Sequence, residues 1–119
     1  IAAVSADPSV IHSMRDAFLS RRDFILEELN KIKGININQP QGAFYVFPDV
    51  SAFFNKSYEN FTVNNSDQLA MYILETAKVA VVTGNAFGSP NCIRISYASS
   101  MEKLKDAMDR VAAALNNLV

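Results

Sequence analysis

Cys92-Ile93-Arg94-Ile95-Ser96-Tyr97-Ala98 decides how this chain is read. Successive side chains of a strand take opposite faces. Ile93, Ile95 and Tyr97 therefore share one face, suited to lie under helices. Cys92, Arg94, Ser96 and Ala98 share the other. Immediately upstream, Val79-Ala80-Val81-Val82 is almost wholly apolar and reads as a second strand, buried on both faces. The loop between residues 82 and 92 is short, which predicts antiparallel neighbours.

Helices flank this pair. Ser99 and Glu102 form a capping box, and Met101, Leu104, Met108, Val111, Leu115 and Leu118 repeat at helical steps to the end of the chain. Ser66 caps a shorter helix carrying Leu69, Ala70, Ile73, Leu74 and Ala77. Near the start, Asp7 is a natural N-cap and Pro8 fits the first helical position. From there Ile11, Met14, Phe18, Ile25, Leu29 and Ile32 mark one apolar face of a long helix, about Pro8 to Lys33, ended by Gly34. Arg21 and Arg22 interrupt its stripe, as stems snorkelling over the core. So long a helix often runs past its own domain to pack on another. Ile35-Asn36-Ile37-Asn38 and Ala43-Phe44-Tyr45-Val46-Phe47 read as further strands. Residues 48–65 read as a long surface loop anchored by Phe53, Phe54, Tyr58 and Phe61. The fold class is α/β (α+β): a two-layer sandwich whose small, mainly antiparallel sheet is covered on one face by three helices.

The chain has 119 residues, 50% of them hydrophobic, with 11 basic and 12 acidic side chains. That is one domain, residues 1–119, with an expected radius of gyration of ~13–14 Å. The net charge of −1 leaves no electrostatic footprint for nucleic acid or an anionic membrane. No apolar run approaches the ~20 residues of a membrane span. The single cysteine fits a reducing, cytoplasmic compartment. One histidine and the absence of metal-ligand spacings argue against a metal site. Ile1 is not an initiator methionine, and Ile1-Ala2-Ala3-Val4 begins mid-pattern, as in a processed chain or an excised piece.

Arg94 carries the most chemistry. A guanidinium held mid-strand presents a planar five-donor fork in a fixed direction, suited to bidentate capture of a carboxylate. It either takes a ligand's carboxylate or pairs with one of its own chain. Gly84 and Gly88 allow the 83–91 loop close backbone approach to a ligand, or serve only a hairpin connection. The loop enters a strand rather than a helix and is no G-x-G-x-x-G, which argues against a phosphate cradle. Gly42 is either a turn residue or an approach to a ligand, and Tyr45 belongs either to the site or to the core. Cys92 reads as a small buried hydrophobe rather than a nucleophile, and His12 as solvated.

Three motifs carry a resemblance that spans nearly the whole chain. Arg21-Arg22-Asp23 lies in the long helix. Pro40-Gln41-Gly42-Ala43-Phe44-Tyr45-Val46-Phe47-Pro48-Asp49 is similar to a "P-x-G-A-F-Y" strand. Val79 to Gly88, followed by Ile93-Arg94-Ile95-Ser96-Tyr97-Ala98, resembles a "V-x-x-x-P-G-x-x-F-G … R-[IL]-S-[FY]-A" ending. Together they resemble the C-terminal small domain of class I (fold-type I) pyridoxal-phosphate-dependent aminotransferases, most like bacterial aspartate aminotransferases. The resemblance implies transfer of an amino group from an amino acid to a 2-oxo acid. It implies pyridoxal 5'-phosphate, bound mainly by a preceding large domain, and a homodimer in the full-length enzyme. Arg94 matches the arginine that grips the substrate α-carboxylate. Gly42 matches the stretch that approaches the substrate and helps close the site. Gly84, Asn85, Phe87 and Gly88 match the turn that shapes the pocket. Thr83 stands where the family usually has proline, which puts the rigidity of this loop in question. None of Lys31, Lys33, Lys56, Lys78, Lys103 and Lys105 has the Ser-x-[Ser/Thr]-Lys context of the cofactor-bearing lysine. By the same resemblance, the chain is an excised domain, inactive alone. A lyase or synthase of the same cofactor family, or a stand-alone carboxylate-binding module, are the alternatives.

Overall fold

The computed structural model describes Ser5 and residues 7–119. The mid-pattern start at Ile1 to Val4 lies outside the described residues. Helix α1 spans Ser9–Lys31. Asp7 Oδ1 accepts from the Ser9 N–H at 2.8 Å, as a capping residue does. The helix ends before Lys33, because Ile32 turns to extended backbone and Gly34 follows with φ of 100°. Its apolar stripe divides. Ile25, Leu29 and Ile32 are buried, whereas Ile11 and Met14 are each 63% exposed. The N-terminal half thus projects beyond the core. The radius of gyration is accordingly 15.9 Å, above the value for a compact sphere of this length, and the longest axis is 54 Å.

Strands β1 (Tyr45–Val46), β4 (Val82–Thr83) and β5 (Ile93–Ser96) form a sheet of order β1-β5-β4, antiparallel throughout. The expected antiparallel neighbours pair in register, with Val82 opposite Arg94 and Thr83 opposite Ile93. All three strands are shorter than the sequence pattern predicts. Ala43 takes φ of 64°, so the chain bends at residues 41–44 and β1 starts only at Tyr45. Ile35 to Asn38 is no strand. It contributes one bridge, Asn36 to Asp49, and Asp49 bridges on to Cys92. Val79 to Val82 is not buried on both faces: Val79 and Val81 are half-buried, while Ala80 and Val82 are exposed. It is one of the sheet's two edges.

Residues 48–65 are more than a loop. They hold a 3-10 turn at Ser51–Phe53 and a hairpin of β2 (Lys56–Tyr58) and β3 (Phe61–Val63). The aromatic anchors are as expected. Phe53 is buried, and the rings of Tyr58 and Phe61 lie 6.5 and 5.4 Å from that of Tyr72. Val119 extends the hairpin by exchanging backbone hydrogen bonds with Ser57.

Helix α2 spans Ser66–Ala77 and α3 spans Met101–Asn117. Both caps shift by one residue from expectation. Asn65, not Ser66, accepts from the Gln68 N–H, and Ser100, not Ser99, accepts from the Lys103 N–H. Ser66 is instead fully buried. Helix α3 packs against both α1 and α2, making the centre of the helix layer. Leu104, Met108, Val111, Leu115 and Leu118 bury its predicted stripe, and the Tyr72 hydroxyl ties α2 to α3 by donating to Ala114 O at 2.8 Å. Ile93, Ile95 and Tyr97 lie under this layer at 0, 7 and 2% exposure. On the other face of β5, Cys92 and Arg94 are half-buried and Ser96 is exposed. No helix among the described residues is long and apolar enough to cross a membrane.

Candidate functional site

Arg94 stands on the central strand, on the face opposite Ile93 and Ile95, half-buried. Alternation puts it there: buried Ile93 and Ile95 fix the strand's orientation, and Arg94 has no choice of face. Among the described residues it makes no ion pair and no side-chain hydrogen bond. Pairing with a carboxylate of its own chain, one of the two options the spacing allowed, is therefore not what this fold does. Arg94 is held instead by aromatic faces. Its Cζ lies 4.8 Å from the ring centroid of Phe87 and 5.5 Å from that of Tyr45. The Phe87 and Phe47 rings form a T-shaped pair, with centroids 5.8 Å apart and planes at 81°. Tyr45 is thus part of this face rather than of the core. Contacts with ring faces leave the N–H donors at the rim of the guanidinium free for a planar acceptor.

The loop after β4 is a 3-10 turn, Gly84–Phe87, that presents Phe87 to this face. Thr83 Oγ1 caps it by accepting from the Asn85 N–H at 3.3 Å. Thr83 has φ of −61°, the angle a proline would impose, so hydrogen bonding supplies the stiffness that a ring would give. Asn85 Nδ2 donates to Asp67 Oδ2 at 2.8 Å, fixing the turn to α2. A Cβ at Gly84 would collide with the carbonyl oxygens of Ser89 and Cys92. Gly88 closes the turn with φ of 73°.

Gly42 sits on the bend before β1. The bend is pinned on both sides: Arg22 Nη1 donates to Pro40 O at 3.3 Å, and the Tyr97 hydroxyl donates to Ala43 O at 3.1 Å. A Cβ at Gly42 would meet nothing within 4 Å. Gly42 lines two hollows. One, of about 370 Å³, runs along the projecting half of α1 past Met14, Phe18 and Leu19. The other, of about 270 Å³, is shared with Tyr45 and Phe47 and so adjoins the Arg94 face. Gly42, Arg94 and the 84–88 turn are therefore brought to one side of the sheet, with Tyr45 and Phe47 between them. Phe47 is the residue that sequence reasoning passed over. Its signal was its place two residues after Tyr45, on the same strand face.

The remaining candidates fall away. Burial, with the nearby Asp49 charge, pushes the Cys92 thiol up, the opposite of an activated nucleophile. His12 is exposed on α1. Among the described residues no three His, Cys, Asp or Glu side chains gather to hold a metal ion. None of the six lysines lines either hollow; Lys31 pairs with Glu27 and Glu28, and Lys56 lies over Phe53. The site thus presents one cation, Arg94, beside aromatic rings and a hollow that no lysine lines.

The family model for class I and II aminotransferases matches residues 1–111. The chain belongs to this family. It is 40% identical over 111 residues to a bifunctional aspartate aminotransferase and glutamate/aspartate-prephenate aminotransferase of Petunia hybrida, covering 92% of this chain and 23% of that protein. It is 44% identical over 108 residues to a probable aspartate/prephenate aminotransferase of Aquifex aeolicus, covering 91% and 26%. Among solved structures, an aspartate aminotransferase from Rhizobium meliloti superposes with a TM-score of 0.94 at 35% identity, over 99% of this chain and 30% of that one. An alanine aminotransferase from Pyrococcus furiosus superposes with a TM-score of 0.84 at 29% identity, over 97% and 28%. The chain thus spans about a quarter of the length of the aminotransferases it matches.

Proposed function

We propose that this chain is the substrate-clamping small domain of a pyridoxal-phosphate-dependent aminotransferase, and that Arg94 grips the α-carboxylate of its amino acid substrate. The observation that carries the proposal is a half-buried arginine, fixed mid-sheet between Tyr45 and Phe87, without a carboxylate of its own chain among the described residues. A cation kept free on a rigid strand is prepared for an anion from outside. Gly42 leaves room for substrate where a Cβ would stand, and Gly84, Asn85, Phe87 and Gly88 form the turn that walls the pocket. Two charge-assisted hydrogen bonds from one fork fix both the position and the plane of a carboxylate. Arg94 thereby sets which bonds of the substrate face the reacting groups, a contribution of positioning.

Pyridoxal phosphate, which supplies an electron sink for bonds at the substrate's α-carbon, is held by residues outside this chain. Aspartate is the proposed amino donor, on likeness to relatives whose names include aspartate aminotransferase. A 2-oxo acid is the acceptor. The whole protein acts as a homodimer in the cytoplasm, as the family resemblance and the single cysteine support. The test is an assay of the full-length protein with aspartate, alanine and an aromatic amino acid, each with a 2-oxo acid. Transamination of aspartate in preference to the others is expected. Lyase or synthase activity without amino transfer contradicts the proposal.

A further inference from the structure

We propose that Phe87, braced by Phe47, is a positioning residue that sets the plane of the Arg94 guanidinium. The inference rests on the assignment of Arg94 as the carboxylate clamp. Among the described residues, no hydrogen bond or ion pair orients the Arg94 side chain, although a bidentate clamp works only if its fork is held in one plane. Aromatic contact takes that place. Phe87 lies nearer than Tyr45, 4.8 against 5.5 Å. Stacking on a ring face restrains the tilt of a guanidinium without consuming its donors.

Phe87 is 50% exposed, so core packing does not account for a phenylalanine here. Its own position is over-determined. The turn that bears it is capped by Thr83, tied to Asp67 through Asn85 and closed by left-handed Gly88. Its ring then packs T-shaped with that of Phe47, centroids 5.8 Å apart. The order of support runs from backbone turn to Phe87 ring to Arg94 fork.

The test is a double-mutant cycle in the full-length protein, reading KM and kcat for the amino acid donor. Phe87→Leu is expected to raise KM about 5-fold while kcat stays within about 2-fold, because the fork is disordered but not removed. Phe87→Tyr, which keeps the ring face, restores the parent KM. In an Arg94→Gln background, Phe87→Leu has no further effect. Where turnover of the Arg94→Gln forms is too slow, calorimetric binding of succinate reads the same cycle. An unchanged melting temperature for Phe87→Leu separates the effect from misfolding. A Phe87→Leu effect of equal size in both backgrounds, or none in the parent, overturns the positioning role while leaving the clamp intact. If Arg94→Gln itself leaves KM and succinate binding unchanged, the clamp assignment fails and the inference falls with it.

Discussion

The hydroxyls of Ser66 and Thr83 share a hydrogen bond of 2.9 Å, joining the first turn of α2 to the edge strand that leads into the Phe87 turn. Ser66 is fully buried, so its oxygen has a stake in that partner. Thr83→Ala leaves the Ser66 hydroxyl unsatisfied and uncaps the turn; a loss of about 1–2 kcal/mol is expected by denaturant titration. Thr83→Pro suits the backbone. Its φ is −61°, and Gly84 N–H to Cys92 O places Thr83 at a position of the β4–β5 ladder that donates nothing to β5. It still strands Ser66. The pair Ser66→Ala with Thr83→Pro is therefore expected to be more stable than the sum of the single changes predicts; strict additivity would contradict the link.

Two glycines of the site should separate fold from function. Gly84→Ala drives a Cβ into the Ser89 and Cys92 carbonyls and is expected to cost about 2–4 kcal/mol. Gly42→Ala meets only open space and should change stability by less than about 0.5 kcal/mol. In the full-length protein the same Gly42→Ala should raise KM for the amino acid, since the space it fills is assigned to substrate. An unchanged KM would return Gly42 to the role of a plain turn residue.

Alkaline stability follows from two tyrosines. Burial pushes the phenols of Tyr72 and Tyr97 above the ordinary 10.0, with the Arg22 charge opposing the shift at Tyr97. The unfolded chain releases these protons near the ordinary value and the folded chain holds them longer. Their contribution to stability is therefore complete below about pH 10 and is lost as pH rises through the folded values. The denaturant midpoint should fall above pH 10. Tyr72→Phe should lower stability at neutral pH by about 1 kcal/mol, through the lost bond to Ala114 O, and flatten the alkaline slope. A slope identical to the parent's would show that Tyr72 is not a source of it.

The 119-residue chain is expected to show no transamination by itself, because no lysine lines the hollows beside Gly42. Incubated with pyridoxal phosphate and reduced with borohydride, it should carry only scattered, substoichiometric label on surface lysines. Stoichiometric reduction onto one lysine, located by peptide mapping, would contradict this.

What could be read from the residues was what strong periodicity encodes. The alternation of Ile93, Ile95 and Tyr97 against Arg94 fixed the face of β5, and the Leu104 to Leu118 stripe fixed α3. Boundaries and caps were less legible. Asn65, Ser66, Ser99 and Ser100 are all competent caps, and tertiary burial of Ser66 decided between neighbours. The β2–β3 hairpin was invisible because its strands are three residues long and its turn, Glu59-Asn60, holds no glycine despite φ of 50° at Glu59. The exposed half of α1 broke the link between an apolar stripe and burial: Ile11 and Met14 follow the pattern but lie outside the core. For the site, Arg94 was legible from its place in the strand. Its aromatic support was not, because Phe87 and Phe47 meet only through the sheet register.

The central claim is that the Arg94 fork holds the substrate α-carboxylate, and Arg94→Lys in the full-length protein tests it most directly. Lysine keeps the charge and loses the planar, bidentate geometry. The account predicts a fall in kcat/KM for the amino acid donor of at least about 10-fold, with the melting temperature unchanged. A kcat/KM equal to the parent's would contradict it.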